Sequence, residues 1–208
     1  DNVLWEFGDG ETSTEFNPVH VFGPGVYDVS LHASGVCGED MEYRQGLIRV
    51  YRDVTAMFDA EPTSGCLGLE QQGFPVYFND LSTGSIDSWY WDFGDGYTST
   101  EQNPTHAYYE EGVYTVTLTV SGPCGEDTMT MTDYITVYAP PFADFEASQT
   151  WGCDSLTVDF SNYSGGSITN FYWDFGDGTT STAEAPSHTF TPGTYTVSLK
   201  VEGPCGED

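Results

Sequence analysis

The sequence has 208 residues, room for roughly two or three small domains, and sets 33 acidic side chains against 4 basic ones, for a formal net charge of −29. So negative a surface repels phosphate backbones and anionic headgroups, which excludes nucleic acid and an anionic membrane face as partners. Aromatic residues at 15% and hydrophobic residues at 38% supply enough apolar surface for packed cores, so the charge belongs to a solvated folded surface and not to a disordered chain.

In chain order, Trp5-Glu6-Phe7-Gly8-Asp9-Gly10 comes first. Trp5 and Phe7 are two apart and face one side of a predicted strand, and Gly-Asp-Gly predicts a tight turn at positive φ. Asn17-Pro18-Val19-His20, Gly25-Val26-Tyr27 and Cys37-Gly38-Glu39-Asp40 follow. A second unit opens at Ala56-Met57-Phe58-Asp59-Ala60, with a predicted strand at Val76-Tyr77-Phe78. It continues through Trp91-Asp92-Phe93-Gly94-Asp95-Gly96, Asn103-Pro104-Thr105-His106 and Gly112-Val113-Tyr114. Tyr114 to Val120 alternates apolar and polar side chains as a half-buried strand must. Cys124-Gly125-Glu126-Asp127 and a closing strand, Ile135–Tyr138, complete this unit, and Tyr138-Ala139-Pro140-Pro141 is a proline-stiffened linker. The third unit repeats the order. Ala143–Ala147 and a strand at Leu156–Phe160 precede Trp173-Asp174-Phe175-Gly176-Asp177-Gly178, then Ala185-Pro186-Ser187-His188. Gly193-Thr194-Tyr195, a strand predicted from Tyr195 to Val201, and Cys205-Gly206-Glu207-Asp208 end it.

These recurrences define three repeats: residues 1–52 as the C-terminal part of one, 53–138 as a complete one, and 139–208 as one lacking its last strand. Asp1 falls inside a repeat, so a segment of a longer array is the expectation. About seven short strands per repeat, divided by glycine-rich turns and without helical periodicity, predict an all-β fold of tandem immunoglobulin-like β-sandwiches. No apolar run approaches the ~20 residues that span a bilayer, so the chain is not expected to be membrane-embedded. Asp1-Asn2-Val3 has no signal-peptide character, and a secretion signal would lie outside this segment.

The combination of W-D-F-G-D-G, N-P-x-H and G-x-Y-x-V-x-L-x-V, met in all three repeats, resembles the PKD (polycystic kidney disease) domain family. The likeness covers essentially the whole chain. The first repeat departs from it slightly, with Glu6 for the usual Asp and Leu4 where Tyr90 and Tyr172 stand in the others. The resemblance implies β-sandwich modules of extracellular proteins. Their roles are those of spacers, adhesion modules and surface-layer parts, or of accessory modules on secreted proteases and polysaccharide-degrading enzymes. The residues agree independently. Trp5, Phe7, Trp91, Phe93, Trp173 and Phe175 are expected to anchor the cores between sheets. Tyr114, just after a Gly at a strand start, suits a tyrosine corner, with the hydroxyl bonded to nearby backbone, and Tyr195 is the matching signature residue of the third repeat.

No catalytic site is expected. Asp92 and Asp95 sit in a turn repeated three times, which suits turn stabilisation and not a single pair of catalytic carboxylates. His20, His106 and His188 recur without a nucleophile in register and are expected to be structural hydrogen-bonding groups; His32 has no counterpart and belongs to the surface. No cofactor is expected, with calcium as the one ligand worth testing. Asp59, Asp80, Asp87, Asp144 and Asp174 lie near predicted strand ends and offer the hard oxygen donors that calcium takes, though at no recognised loop spacing. Asn162-Tyr163-Ser164 is a glycosylation sequon of a kind common by chance.

Cys37, Cys66, Cys124, Cys153 and Cys205 form no C-x-x-C pair, and their regular placement in a β-rich chain suggests disulfides and an oxidising compartment. Simplicity favours pairing within repeats, Cys66–Cys124 and Cys153–Cys205. Strand counting favours pairing across repeats, Cys66–Cys205, because the first and sixth turns of a seven-strand sandwich lie at opposite ends and disulfide Cα atoms must approach within ~7 Å. The leading functional expectation is a non-enzymatic, secreted or cell-surface array: a fibre, filament, stalk or surface layer whose partners are neighbouring copies or repeats of itself, with surface glycans or proteins as further partners. The alternatives are accessory modules of a secreted hydrolase and calcium-dependent adhesion.

Overall fold

The structure, a computed structural model, describes residues 2–68 and 73–208. Among them there are strands and turns and no helix. β1 (Asn2–Glu6), β2 (Thr12–Ser13), β3 (Gly25–Gly35) and β4 (Gly38–Val50) form a sheet in the order β2-β1-β3-β4. The middle repeat contributes β5 (Phe58–Glu61), β6 (Ser64–Cys66), β7 (Phe74–Asp80), β8 (Ser88–Asp92), β9 (Thr98–Ser99), β10 (Thr105–Tyr108), β11 (Gly112–Gly122) and β12 (Gly125–Tyr138). These make a three-stranded sheet, β10-β7-β5, and a five-stranded one, β6-β12-β11-β8-β9. The third repeat contributes β13 (Phe145–Ala147), β14 (Leu156–Asn162), β15 (Asn170–Asp174), β16 (Thr180–Ser181), β17 (Ser187–Phe190), β18 (Ser198–Gly203) and β19 (Gly206–Glu207). Its sheets run β13-β14-β17 and β16-β15-β18-β19.

Alternation decides which side chains meet. Along β7, Phe74, Val76 and Phe78 are buried while Pro75 and Tyr77 face water, and along β11 Val116, Leu118 and Val120 point inward. Ile135 and Val137 of β12 complete that core around Trp91, which is wholly buried with Phe58 at 5.1 Å and Phe78 at 5.5 Å between ring centroids. Each such side chain contributes roughly 1.5–3 kcal/mol by leaving water. The third repeat packs Val158, Phe160, Phe175 and Phe190 around Trp173 in the same way. The turn after each tryptophan strand requires glycine. Gly94 has φ 82°, and a Cβ there would stand 2.3 Å from the carbonyl oxygen of Thr115.

Two features depart from the sequence expectation. β6 pairs in parallel with β12, placing Cys66 opposite Tyr138, a contact that alternation along either strand does not encode. The strand predicted from Tyr195 to Val201 begins only at Ser198. In the first repeat the corresponding Gly25–Tyr27 pairs with Ile48–Val50, and residues 139–208 contain no counterpart of that partner strand.

By its contacts the chain divides into two compact units, Asp1–Met57 with Leu81–Trp89 and Thr119–Thr128, and Phe58–Asp80 with Tyr90–Leu118 and Met129–Asp208. In the first, backbone amides after β4 are held by side chains: Arg52 N donates to Ser85 Oγ at 3.0 Å and Ala56 N to Asp127 Oδ2 at 2.8 Å. The second contains Trp91, Trp173 and the linker between the middle and third repeats.

Candidate functional site

The turn that follows each tryptophan strand carries the most repeated chemistry in the chain. In the middle repeat Asp92 Oδ1 accepts from Gly94 N at 2.9 Å and Asp95 Oδ1 from Tyr97 N at 3.1 Å, closing the turn. The other oxygen of Asp95 receives His106 Nε2 at 2.6 Å. The imidazole lies flat on Phe93, 4.2 Å between centroids and 3° between planes, and meets Tyr108 edge-on. The first and third repeats build the same node: His20 to Asp9 at 2.6 Å over Phe7, and His188 to Asp177 at 2.7 Å over Phe175. The hydroxyl of Thr179, with His188 beside it, holds the Asp177 carboxyl down at about 2. His20 and the backbone N–H of Glu11 lower Asp9 in the same direction. Each histidine has Nε2 engaged by a carboxylate and one face covered by a phenyl ring, so the node locks a turn to a strand and presents no nucleophile–base pair.

The aromatic signature is hydrogen-bonded as well as buried. Trp91 Nε1 donates to Glu101 O and Trp173 Nε1 to Ala183 O, both at 2.9 Å, whereas the buried Trp5 Nε1 has no partner. Tyr114 OH donates to Glu110 O at 2.8 Å and Tyr27 OH to Gly23 O at 3.0 Å, the tyrosine-corner contact. Tyr195 OH instead meets Thr191 Oγ1 at 3.0 Å.

The aspartates singled out for calcium occupy separate strands and turns. Asp59 stands opposite Asn79 in the β5–β7 pairing, and Asp80 accepts Gln102 Nε2 at 3.0 Å while its own N–H donates to Asn103 Oδ1. The N–H of Asp87 donates to Ser121 O and that of Asp144 to Ser164 Oγ, and Asp174 Oδ1 closes its turn on Gly176 N. Among the described residues no group of three or more His, Cys, Asp or Glu side chains gathers where a metal ion would be held. His32 is half exposed, 3.6 Å from Glu6 Oε2. In the sequon, Asn162 Oδ1 accepts from Ser164 N at 3.0 Å.

Two of the cysteines meet at the junction of the middle and third repeats. Leu67 N donates to Tyr138 O at 2.8 Å, and with the β6–β12 pairing this sets Cys66 beside the last strand residue of its repeat. Cys205 lies at the tip of the β18–β19 hairpin, whose Asp208 Oδ2 accepts Ala143 N at 2.8 Å, just past the linker. Cys66 and Cys205 are joined, with Cα atoms 5.7 Å apart, so of the two pairings left open by the sequence the structure holds the one across repeats. Cys37, Cys124 and Cys153 are free and exposed. Between the same two repeats, Ser167 Oγ donates to Glu111 Oε2 at 2.9 Å, and Ser167 N donates to Ala139 O of the linker at 3.1 Å. Glu111 and Ser167 carry no periodic signal, and sequence reasoning misses them. The aspartates that cap Ala56 and Ala143 were visible as the last residue of a repeated Cys-Gly-Glu-Asp, a clue to a contact made once per repeat.

Beside Cys153 an open groove of ≈ 510 Å³ runs along the third repeat, floored by Leu156, Val158, Phe160 and Val197 with the exposed Trp151 on its lining.

The model of the PKD domain matches residues 58–137 and again 138–208. The chain belongs to the PKD domain family. Collagenase ColA of Bacillus cereus is 36% identical over 115 residues, covering 55% of this chain and 11% of that protein. Pre-pro-metalloprotease PrtV of Vibrio cholerae is 44% identical over 61 residues, 28% of this chain and 7% of that protein. These PKD repeats thus span a small part of the length of the curated relatives they match. The crystal structure of the PKD1 domain of PrtV aligns at 38% identity with a TM-score of 0.32, over 39% of this chain and 93% of that domain.

Proposed function

We propose that these PKD repeats are the non-catalytic accessory array of a secreted protease of the collagenase or metalloprotease kind, which they space from, or hold against, an insoluble protein substrate. The observation that carries this reading is the likeness to collagenase ColA, 36% over 115 residues, a stretch longer than one repeat. The likeness to PrtV supports it. A disulfide between repeats suits the oxidising space outside the cell. The high negative charge keeps the array soluble and self-repelling there.

The test is co-sedimentation of the purified chain with fibrillar collagen, insoluble elastin and crystalline cellulose, together with the mass and peptide map of the native polypeptide that contains it. Retention on a protein fibre, and a protease domain in the same polypeptide, are the expected results. A native polypeptide made only of such repeats would overturn the accessory reading.

That outcome would favour the second reading, a stiff surface fibre or stalk built of the repeats themselves. The bond between Cys66 and Cys205 across a short linker is the observation on its side, and electron microscopy of the native material is its test.

A further inference from the structure

We infer that the Cys66–Cys205 bond is one rung of a series, in which the first-turn cysteine of every such repeat is joined to the hairpin cysteine of the repeat that follows it. Cys153 is then a docking point for the Cys-Gly-Glu-Asp hairpin of an adjoining repeat of the same kind. Cys37 and Cys124 are the hairpin halves of earlier rungs.

Three observations place each cysteine at a junction. First, Cys37, Cys124 and Cys205 all sit at hairpin tips followed by a glycine of positive φ: 140° at Gly38, 124° at Gly125 and 116° at Gly206. The three hairpins therefore project their sulfurs from the same turn. Second, the aspartate that ends the motif caps the strand-entry amide of its own repeat, Asp127 on Ala56 and Asp208 on Ala143, both at 2.8 Å. The hairpin tip is thereby pinned to the entrance of its repeat, the side from which the preceding repeat arrives. Third, Cys66 stands opposite Tyr138, at the exit of its repeat. Cys66 and the next entrance cysteine, Cys205, are neighbours across a linker of a few residues, whereas the first and sixth turns of a seven-strand sandwich belong to opposite ends.

Cys153 shares its place in the repeat with Cys66, although ten residues lead from Cys66 to Val76 and five from Cys153 to Val158. Each follows a glycine and precedes the strand that supplies the Val-x-Phe of the core, Val76-Tyr77-Phe78 in one case and Val158-Asp159-Phe160 in the other. Cys153 is exposed with no partner, beside the groove that bears Trp151. Bond formation removes two protons and two electrons from two thiols. A small-molecule disulfide of the oxidised-glutathione type accepts them, its S–S bond breaking to two thiols as the protein S–S bond forms.

The test lengthens the array by one register: a second copy of residues 128–208, carrying Cys153→Ser so that Cys153 of the parent sequence stays unique, is placed directly after Asp208, so that the appended chain continues the third repeat as the middle repeat continues after Asp127. Both the 208-residue chain and the longer one are oxidised in a glutathione buffer, alkylated without reduction and peptide-mapped. The parent should show three alkylated cysteines, Cys37, Cys124 and Cys153. In the longer chain Cys153 should become protected and appear in a peptide linked to the appended hairpin cysteine, leaving the number of free thiols per chain at two and not four. The Cys66–Cys205 peptide, present in the same molecules, reports that the array has folded. A reactive Cys153 alongside that peptide, or Cys153 linked to Cys205 of its own repeat, overturns the inference. Absence of the Cys66–Cys205 peptide itself removes its basis. The result does not depend on whether a protease domain is attached, so the inference and the accessory reading fail separately.

Discussion

Replacing Cys66 and Cys205 together by serine leaves every strand its hydrogen bonds and removes one covalent link. The two residues are 139 apart in sequence, but that separation overstates the freedom the bond restrains. While the middle repeat stays folded, β6 holds Cys66 against Tyr138. The loop closed when the third repeat unfolds then runs from Tyr138 to Cys205, roughly 70 residues, for which the chain-entropy relation gives ~4 kcal/mol. Native bonds of this type deliver ~2–4 kcal/mol, so the melting midpoint of the third repeat should fall by about 10–25 °C. Differential scanning calorimetry at fixed pH and salt reads this directly. Cys124→Ser, which removes a free exposed thiol, should leave every transition in place. A shift of the third repeat's transition below about 3 °C in the double variant would refute the reasoning, by showing that strand pairing and the linker contacts alone hold the junction.

Three further outcomes follow from the repeated node and core. Asp177 titrates at about 2 when folded against an ordinary 3.8, so its stabilisation is complete above the higher value and is lost as pH falls through the lower one. In urea titrations the parent should exceed Asp177→Asn in stability at pH 5, and the gap should close as pH is lowered from about 4 to about 2; an unchanged gap counts against the node. Trp91→Phe strands the Glu101 carbonyl while Trp5→Phe removes an unpaired donor. The first should therefore cost ~1–3 kcal/mol more than the second, read from chemical denaturation of each variant. Gly96→Ala, where nothing lies within 4 Å of the added Cβ, should cost only the ~1–2 kcal/mol of a left-handed residue. Gly94→Ala, which drives a methyl into Thr115 O, should cost clearly more, and equal costs by thermal melts would contradict the turn geometry.

The cores were legible because they obey alternation: Val76 and Phe78, or Val116, Leu118 and Val120, announce an inward face in any antiparallel sheet. The Asp–His node was half legible. The recurrence of Asp95 and His106 in register pointed to structural roles for both, but nothing in the sequence joins them across eleven residues of turn and strand to a stacked phenyl ring. The parallel β6–β12 pairing was out of reach for a different reason, since Ser64-Gly65-Cys66 is too short to show a period and its partner lies at the other end of the repeat. Strand counting nonetheless named Cys66–Cys205, against the simpler Cys66–Cys124, because that argument needs only which end of a sandwich a turn occupies. The third-repeat strand at Tyr195 was overextended since alternation records what a residue prefers and not whether its partner strand is within the sequence.

The junction and the node answer different questions about the array. A feature identical in three repeats, such as histidine on phenylalanine against aspartate, secures each sandwich and distinguishes none of them, so it carries little information on what the array serves. The junction is where covalent and polar contacts leave one repeat for the next: Cys66 to Cys205, and Glu111 to Ser167. A flexible tether between a catalytic domain and its substrate needs no such contacts, and a proline-stiffened linker alone supplies reach. Adding a bond across the linker restricts the third repeat's swing about Ala139–Pro141, which benefits a function in which the direction of the array matters as much as its length. Both proposed roles, presenting a protease to a fibre and building a fibre, meet that requirement, and they part only on what the native polypeptide carries beyond the repeats.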